Sequence, residues 1–160
     1  MNTSFICSIS SVAFPGVYLR LDGQRLSKRV GAGAGLANGQ FGTRQWEKFM
    51  LTKQADGTFT IGSIAFPGVY LRLDGRNITE RNAVGVGVVN GQFGAYAWER
   101  FRLTPAIDGT FTIESAEFPG VFLRLDGRIS KEYHASGAGT ANGQFGAYSW
   151  EQFRLIPDLG

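Results

Sequence analysis

Short runs of the chain alternate apolar and polar residues with a period of two. Val69, Leu71 and Leu73 alternate with Tyr70, Arg72 and Asp74, and Thr58-Phe59-Thr60-Ile61 puts Phe and Ile on one face and Thr on the other. Alternation over four to six residues, carried by good β-formers, predicts half-buried strands. Helical spacing is missing throughout. The runs also recur in register. Phe14-Pro15-Gly16-Val17-Tyr18-Leu19-Arg20-Leu21-Asp22-Gly23 returns from Phe66 to Gly75 and again from Phe118 to Gly127, a period of 52 residues. Asn38-Gly39-Gln40-Phe41-Gly42 returns at Asn90 and Asn142, and Trp46-Glu47 returns at Trp98 and Trp150, with no insertion or deletion. A fixed period decides architecture before any local motif does.

Each repeat is punctuated in the same way. Asp56-Gly57 and Asp108-Gly109 are tight-turn dipeptides, so Phe49-Met50-Leu51 and Phe101-Arg102-Leu103 are expected to form hairpins with the strands that follow. Pro-Gly makes a second turn, and Asp-Gly closes the aliphatic strand. The segment after it varies most. Gln24 to Val30, Arg76 to Asn82 and Arg128 to His134 are expected to form a short exposed strand, followed by a Gly-rich connection, the Asn-Gly-Gln-Phe-Gly block and the Trp-Glu-x-Phe-x-Leu strand.

Three repeats of four strands give twelve strands, the count of a β-trefoil. An all-β single domain over 1–160 is therefore expected, with repeats of about 5–56, 57–108 and 109–158 and pseudo-threefold symmetry. The strand Phe5 to Ile9 should pair with Phe153-Arg154-Leu155 and close a barrel. A three-bladed propeller fits less well, because propellers use four or more blades. The aliphatic face holding Val69, Leu71 and Leu73 is expected in the core.

Composition narrows the functional classes. Gly is 23 of 160 residues, about twice the usual ~7%, and its fixed places in the repeat indicate turns. The net charge of +3, with acids and bases interspersed, points away from nucleic acid. No apolar run reaches the ~18 residues that insert into a membrane. The N-terminus has no signal-peptide pattern, so a cytoplasmic protein, or one released without such a signal, is expected. Cys7 stands where Phe59 and Phe111 stand, which predicts a small buried apolar residue. His134 matches Val30 and Asn82, so it belongs to no repeated site and reads as a solvated loop residue. No metal-ligand spacing and no nucleophile motif occurs. Gly31 to Ala37 lacks the helix that a dinucleotide loop needs. No cofactor and no catalysis are expected.

The polar residues present in triplicate carry the remaining candidate chemistry. Arg20, Arg72 and Arg124 with Glu47, Glu99 and Glu151 are expected to form surface ion pairs between strands. Asp22, Asp74 and Asp126, with Asn38, Asn90 and Asn142, either pin turns or bind ligand. Sugars are recognised by planar acceptors and donors beside an aromatic face. On that reading the ligand set is these Asp and Asn residues together with Gln40, Gln92, Gln144, Tyr18, Tyr70, Tyr96 and Tyr148, at the turn where the Leu-Arg-Leu-Asp-Gly end meets the Asn-Gly-Gln-Phe-Gly loop of the same repeat. The three Trp are expected as core aromatics.

Ser-x-x-Phe-Pro-Gly-x-Tyr-Leu-Arg, from Ser11 to Arg20 and Ser63 to Arg72, resembles the arabinose-binding module of arabinofuranosidases. Where that family has a His after Leu-Arg, this chain has Leu21, Leu73 and Leu125. Tyr-Leu-Arg with Trp-Glu-x-Phe and Asp-Gly-Thr is also similar to the fascin and actin-crosslinking trefoils. The triplicated polar loops, with no catalytic constellation beside them, lead to a lectin with up to three equivalent glycan sites, a role that the first resemblance suits. The second implies a cytoskeletal protein binder. A protease inhibitor would need one protruding loop, against which the equal repeat lengths argue.

Overall fold

In the computed structural model, which describes residues 3–158, the alternating runs become twelve strands. Repeat one holds β1 (Ser4–Ser11), β2 (Val17–Asp22), β3 (Gly35–Phe41) and β4 (Phe49–Lys53). Repeat two holds β5 (Phe59–Ser63), β6 (Val69–Asp74), β7 (Gly87–Phe93) and β8 (Phe101–Pro105). Repeat three holds β9 (Phe111–Ser115), β10 (Val121–Asp126), β11 (Thr140–Phe145) and β12 (Phe153–Pro157). Helical structure among the described residues is limited to one-turn 3-10 segments at Gln45–Glu47, Ala97–Glu99 and Ser149–Glu151, and no helix is long and apolar enough to cross a membrane.

Six strands close on themselves. β1 pairs with β4, β4 with β5, β5 with β8, β8 with β9, β9 with β12, and β12 returns to β1 through Ile9 opposite Leu155. A closed ring leaves no free edge to template aggregation. The hairpins β2–β3, β6–β7 and β10–β11 cap one end and meet around the axis by the pairings β3–β7, β7–β11 and β11–β3. The fold is a β-trefoil.

Core and turns follow from the pattern. Ile9, Leu51, Ile61 and Ile113 from the barrel and Leu19, Leu71 and Leu123 from the hairpins are fully buried, together with Phe49, Phe101 and Phe153. Each such side chain contributes about 1.5–3 kcal/mol of apolar burial. At each Phe-Pro-Gly turn the Val17, Val69 or Val121 N–H donates to the Phe carbonyl three residues back. Gly16 takes φ +87° there, which only a Gly adopts at low cost. Cys7 is buried, and loss of solvation pushes its thiol up to about 12.

The variable segment departs from expectation. Residues 24–34 form turns and bends, and the third strand of the repeat is Gly35–Phe41, so Asn38 and Gln40 lie within a strand. The Gly-rich stretch is explained by close approach at the axis. Gly35 faces Gly91 and Gly87 faces Gly143, and a Cβ on Gly87 would sit 2.8 Å from the Gly143 Cα. Hairpin backbones cross there with no room for side chains.

Candidate functional site

Each variable loop is held by the following repeat. The Gln92 carboxamide accepts the Val30 N–H at 3.0 Å and donates to the carbonyl of the same residue. Gln144 holds Asn82 and Gln40 holds His134 in the same way. Asn90 donates to Ala32, Asn142 to Val84 and Asn38 to Ser136, at 2.8–3.0 Å. The Gln side chains are fully buried. Both ends of each amide therefore copy a peptide unit and complete a ladder that the loop backbone lacks. This departs from the expected ligand-facing role of Gln40, Gln92 and Gln144: each Oε1 also accepts the N–H of the next residue, and the fully buried amides face the clamped loop.

Behind the Asn lies a buried guanidinium. Arg20, Arg72 and Arg124 are each 3% exposed, not on a solvent face as expected. Each donates to the Asn of its own repeat at 3.3 Å. Each stacks at 4.7 Å on the Trp of its repeat, within the range where a guanidinium is attracted to an aromatic face. The Trp side chains are half-buried at the seam between repeats and meet Phe66, Phe118 and Phe14 of the next repeat edge-to-face at 5.0–5.2 Å. They are seam aromatics, outside the barrel core.

The Glu after each Trp is buried, which overturns the surface pairing. Its 3-10 turn bends the side chain back, so Glu47, Glu99 and Glu151 Oε1 accept the N–H of Arg44, Tyr96 and Tyr148 at 2.7 Å. Oε2 faces the buried Arg Nε at 3.9–4.0 Å, too far for a hydrogen bond. Glu99 and Glu151 Oε2 are buried with no hydrogen-bond partner. Burial raises the Glu47 pKa, against the opposing pull of the Arg44 N–H and of Arg20. Burial lowers the pKa of Arg72 and Arg124.

The three seams differ in what the loop brings. Arg29 reaches Glu99 Oε1 at 3.4 Å and lies 4.1 Å over Tyr96. Arg81 reaches Glu151 Oε1 at 3.5 Å and lies 3.9 Å over Tyr148. At the third seam the pair is reversed: Tyr133 comes from the loop, and Arg44 stacks on it at 3.7 Å. A cavity of about 190 Å³ opens there, lined by Arg20, Arg44, Trp46, Glu47, Tyr133 and Ala135.

The aspartates serve the next turn. Asp22, Asp74 and Asp126 Oδ1 accept the N–H two residues on, from Gln24, Arg76 and Arg128. Arg76 and Arg128 also chelate their Asp with Nε and Nη2 at 2.8–3.1 Å, which lowers the Asp74 and Asp126 pKa. The same guanidiniums lie 4.9 Å over Trp98 and Trp150. Gln24 leaves Asp22 without this chelation. Tyr18 and Tyr70 are half-buried opposite Gln40 and Gln92 in the hairpin register. Tyr96 and Tyr148 are exposed and reach the seam. The structure thus places Tyr96 and Tyr148 at the Glu that follows each Trp and the Asn set on the buried Arg, residues the sequence reading assigned elsewhere. The signal for them was the exchange of Arg and Tyr between positions 29/81/133 and 44/96/148.

No family model matches the chain, and no curated protein matches it. Solved structures do. The chain is similar to the Rhizoctonia solani agglutinin (TM-score 0.68, 18% identity), covering 98% of this chain and 96% of that one. It is similar to a mosquitocidal holotoxin (0.68, 16%), covering 98% of this chain but only 16% of the toxin's length. It is also similar to the Polyporus squamosus lectin bound to the epitope Neu5Acα2-6Galβ1-4GlcNAc (0.65, 18%), covering 94% of this chain and 48% of that one. At such identities the likeness shows the trefoil fold and goes no further toward either family the motifs resemble.

Proposed function

We propose that this chain is a carbohydrate-binding protein, a lectin without catalytic activity, using up to three sites at the seams between repeats. One observation carries the reading. At the seam of repeats three and one, a concave site joins the half-exposed Trp46 and Tyr133 rings to the buried carboxylate of Glu47 and the guanidiniums of Arg20 and Arg44. A sugar ring offers an apolar face to an aromatic wall and hydroxyls to planar charged groups, which is the chemistry this site presents. Tyr96 and Tyr148 lie exposed at the other two seams, each with an Arg stacked on one ring face. Agglutinin and lectin neighbours of the same fold support the reading.

A larger groove of about 660 Å³ runs past Asp56, Arg100 and Arg102. Of its two carboxylates, Asp56 and Glu117, the first already accepts the Thr58 N–H and hydroxyl and faces Arg100 at 3.6 Å. The groove has one aromatic ring, Tyr96, against Trp46 and Tyr133 at the seam. The seam is therefore preferred. The test is a glycan array probed with purified protein, paired with co-sedimentation on actin filaments. Retention on defined glycans without filament binding supports the lectin. Filament binding that weakens with salt, on a blank array, replaces it with the cytoskeletal role.

A further inference from the structure

The three seams share one framework and differ in who supplies the guanidinium beside the buried Glu. At Glu99 and Glu151 the previous repeat's loop supplies it, as Arg29 and Arg81, each ion-paired to Oε1 and stacked on a Tyr. These seams are plugged by the chain itself. At Glu47 the loop brings Tyr133, and the guanidinium comes from Arg44 on the rim. A second break falls on the same repeat. Trp98 and Trp150 each carry two guanidiniums, from Arg72 with Arg76 and from Arg124 with Arg128, whereas Trp46 carries Arg20 alone because Gln24 replaces the second Arg. The first break moves a guanidinium from the loop to the rim, and the second removes one, both at the same seam.

We propose that the seam of repeats three and one is the working site, and that it takes a terminal sugar bearing a carboxylate. This rests on the lectin reading above. The size suits one ring: about 190 Å³ is the share of about six waters at ~30 Å³ each. Glu47, 2% exposed, lies on the cavity wall, and its Oε2 is 4.0 Å from Arg20 Nε, beyond hydrogen-bond reach, so it can accept ligand hydroxyls. Arg20 is committed inward, to Asn38 and to the Ala135 carbonyl at 3.3 Å each. Arg44 is exposed and stacked by its face on Tyr133, which leaves its N–H edge free to chelate a carboxylate. Two guanidiniums against one carboxylate leave the cavity positive, which selects an acidic sugar over a neutral one and a cationic one.

The deciding variant restores the arrangement of the other seams: Arg44→Tyr with Tyr133→Arg. It plugs the cavity with a pair the fold already accommodates twice, so melting temperature should hold. Binding of a sialylated or uronate-terminated oligosaccharide, followed by calorimetry, should weaken by roughly tenfold or more. The mirror variant, Arg29→Tyr with Tyr96→Arg, should raise stoichiometry from one ligand per chain to two. Unchanged affinity in the first variant, or a wild-type stoichiometry above one, overturns the single-site assignment while leaving the lectin reading intact. Equal binding of neutral and acidic sugars overturns the ligand class. A wild-type protein that binds no glycan overturns the lectin reading itself, and this proposal with it.

Discussion

At the scale of single residues, the buried Arg–Glu pairs dominate the energetics. Glu99 is fully buried between Arg72 and Arg29 and caps its own turn through the Tyr96 N–H. Removing it strands Arg72 in a dry environment, so Glu99→Ala should cost about 3–5 kcal/mol in urea melts. Glu99→Gln keeps an oxygen for the Tyr96 N–H and should cost less. Acid acts on the carboxylates in two opposite directions. Asp74 and Asp126 are held below the ordinary 3.8 by their Arg partners, so their stabilisation is complete above pH 3.8 and is lost as pH falls through the lowered values. The Glu47 pKa is raised above 4.5, so folding takes up a proton there, and its contribution improves as pH falls toward 4.5. Stability measured against pH should flatten below 3.8 in Asp74→Asn/Asp126→Asn and above 4.5 in Glu47→Gln. The sequence could not show which of these charges are buried. Alternation placed Arg20, Arg72 and Arg124 opposite the core face, which was right, but that face is covered by the neighbouring repeat's loop, and a single strand pattern carries no information about such a cover.

At the scale of elements, the strands and their turns were legible because period-two alternation and Gly-containing turns are local. The faces of Leu19, Leu71 and Leu123, the Asp-Gly hairpins and the β1–β12 closure follow from that pattern. The third strand was not. The segment expected to form it is instead a loop held by side-chain amides from 62 residues away (Val30 to Gln92), and nothing local in Gln24 to Val30 tells a strand from a clamped loop. Asn-Gly likewise resembles a turn, yet Asn38-Gly39 lies in a strand because Gly39 must approach another backbone, with a Cβ there 3.0 Å from the Ala138 carbonyl. Glycines at the axis and in turns should therefore respond differently. Gly87→Ala meets the Gly143 Cα at 2.8 Å and should lower stability by about 1–3 kcal/mol through overpacking. Gly57 has open space but φ +87°, so Gly57→Ala should cost about 1–2 kcal/mol through backbone conformation alone. Truncating Ile78, whose Cδ1 would lie 3.1 Å from the added Cβ, leaves the closer Gly143 Cα in place, and Gly143 is already minimal. The Gly87→Ala loss should thus resist suppression by nearby side-chain truncation.

At the scale of the whole molecule, closure makes the starting point of the chain arbitrary. Strands β1 and β12 lie side by side from Cys7 opposite Pro157 to Ser11 opposite Phe153. A permutant opened at Asp56-Gly57, with the old ends joined by a short flexible linker, should fold and unfold in a single cooperative transition by calorimetry. Two separate transitions would show that the repeats are independent units.

The loop clamps also have a consequence for a lone repeat. One copy of 52 residues carries a projecting loop on one side and, on the other, the Gln and Asn groove that grips such a loop. The two surfaces differ, so copies can join only head to tail. Head-to-tail contacts produce rings when the rotation closes and fibres when it does not. Here the rotation closes after three, as the covalent chain demonstrates. A gene for a single repeat would therefore encode a self-limiting trimer, and the present chain is that ring with two of its joints made permanent.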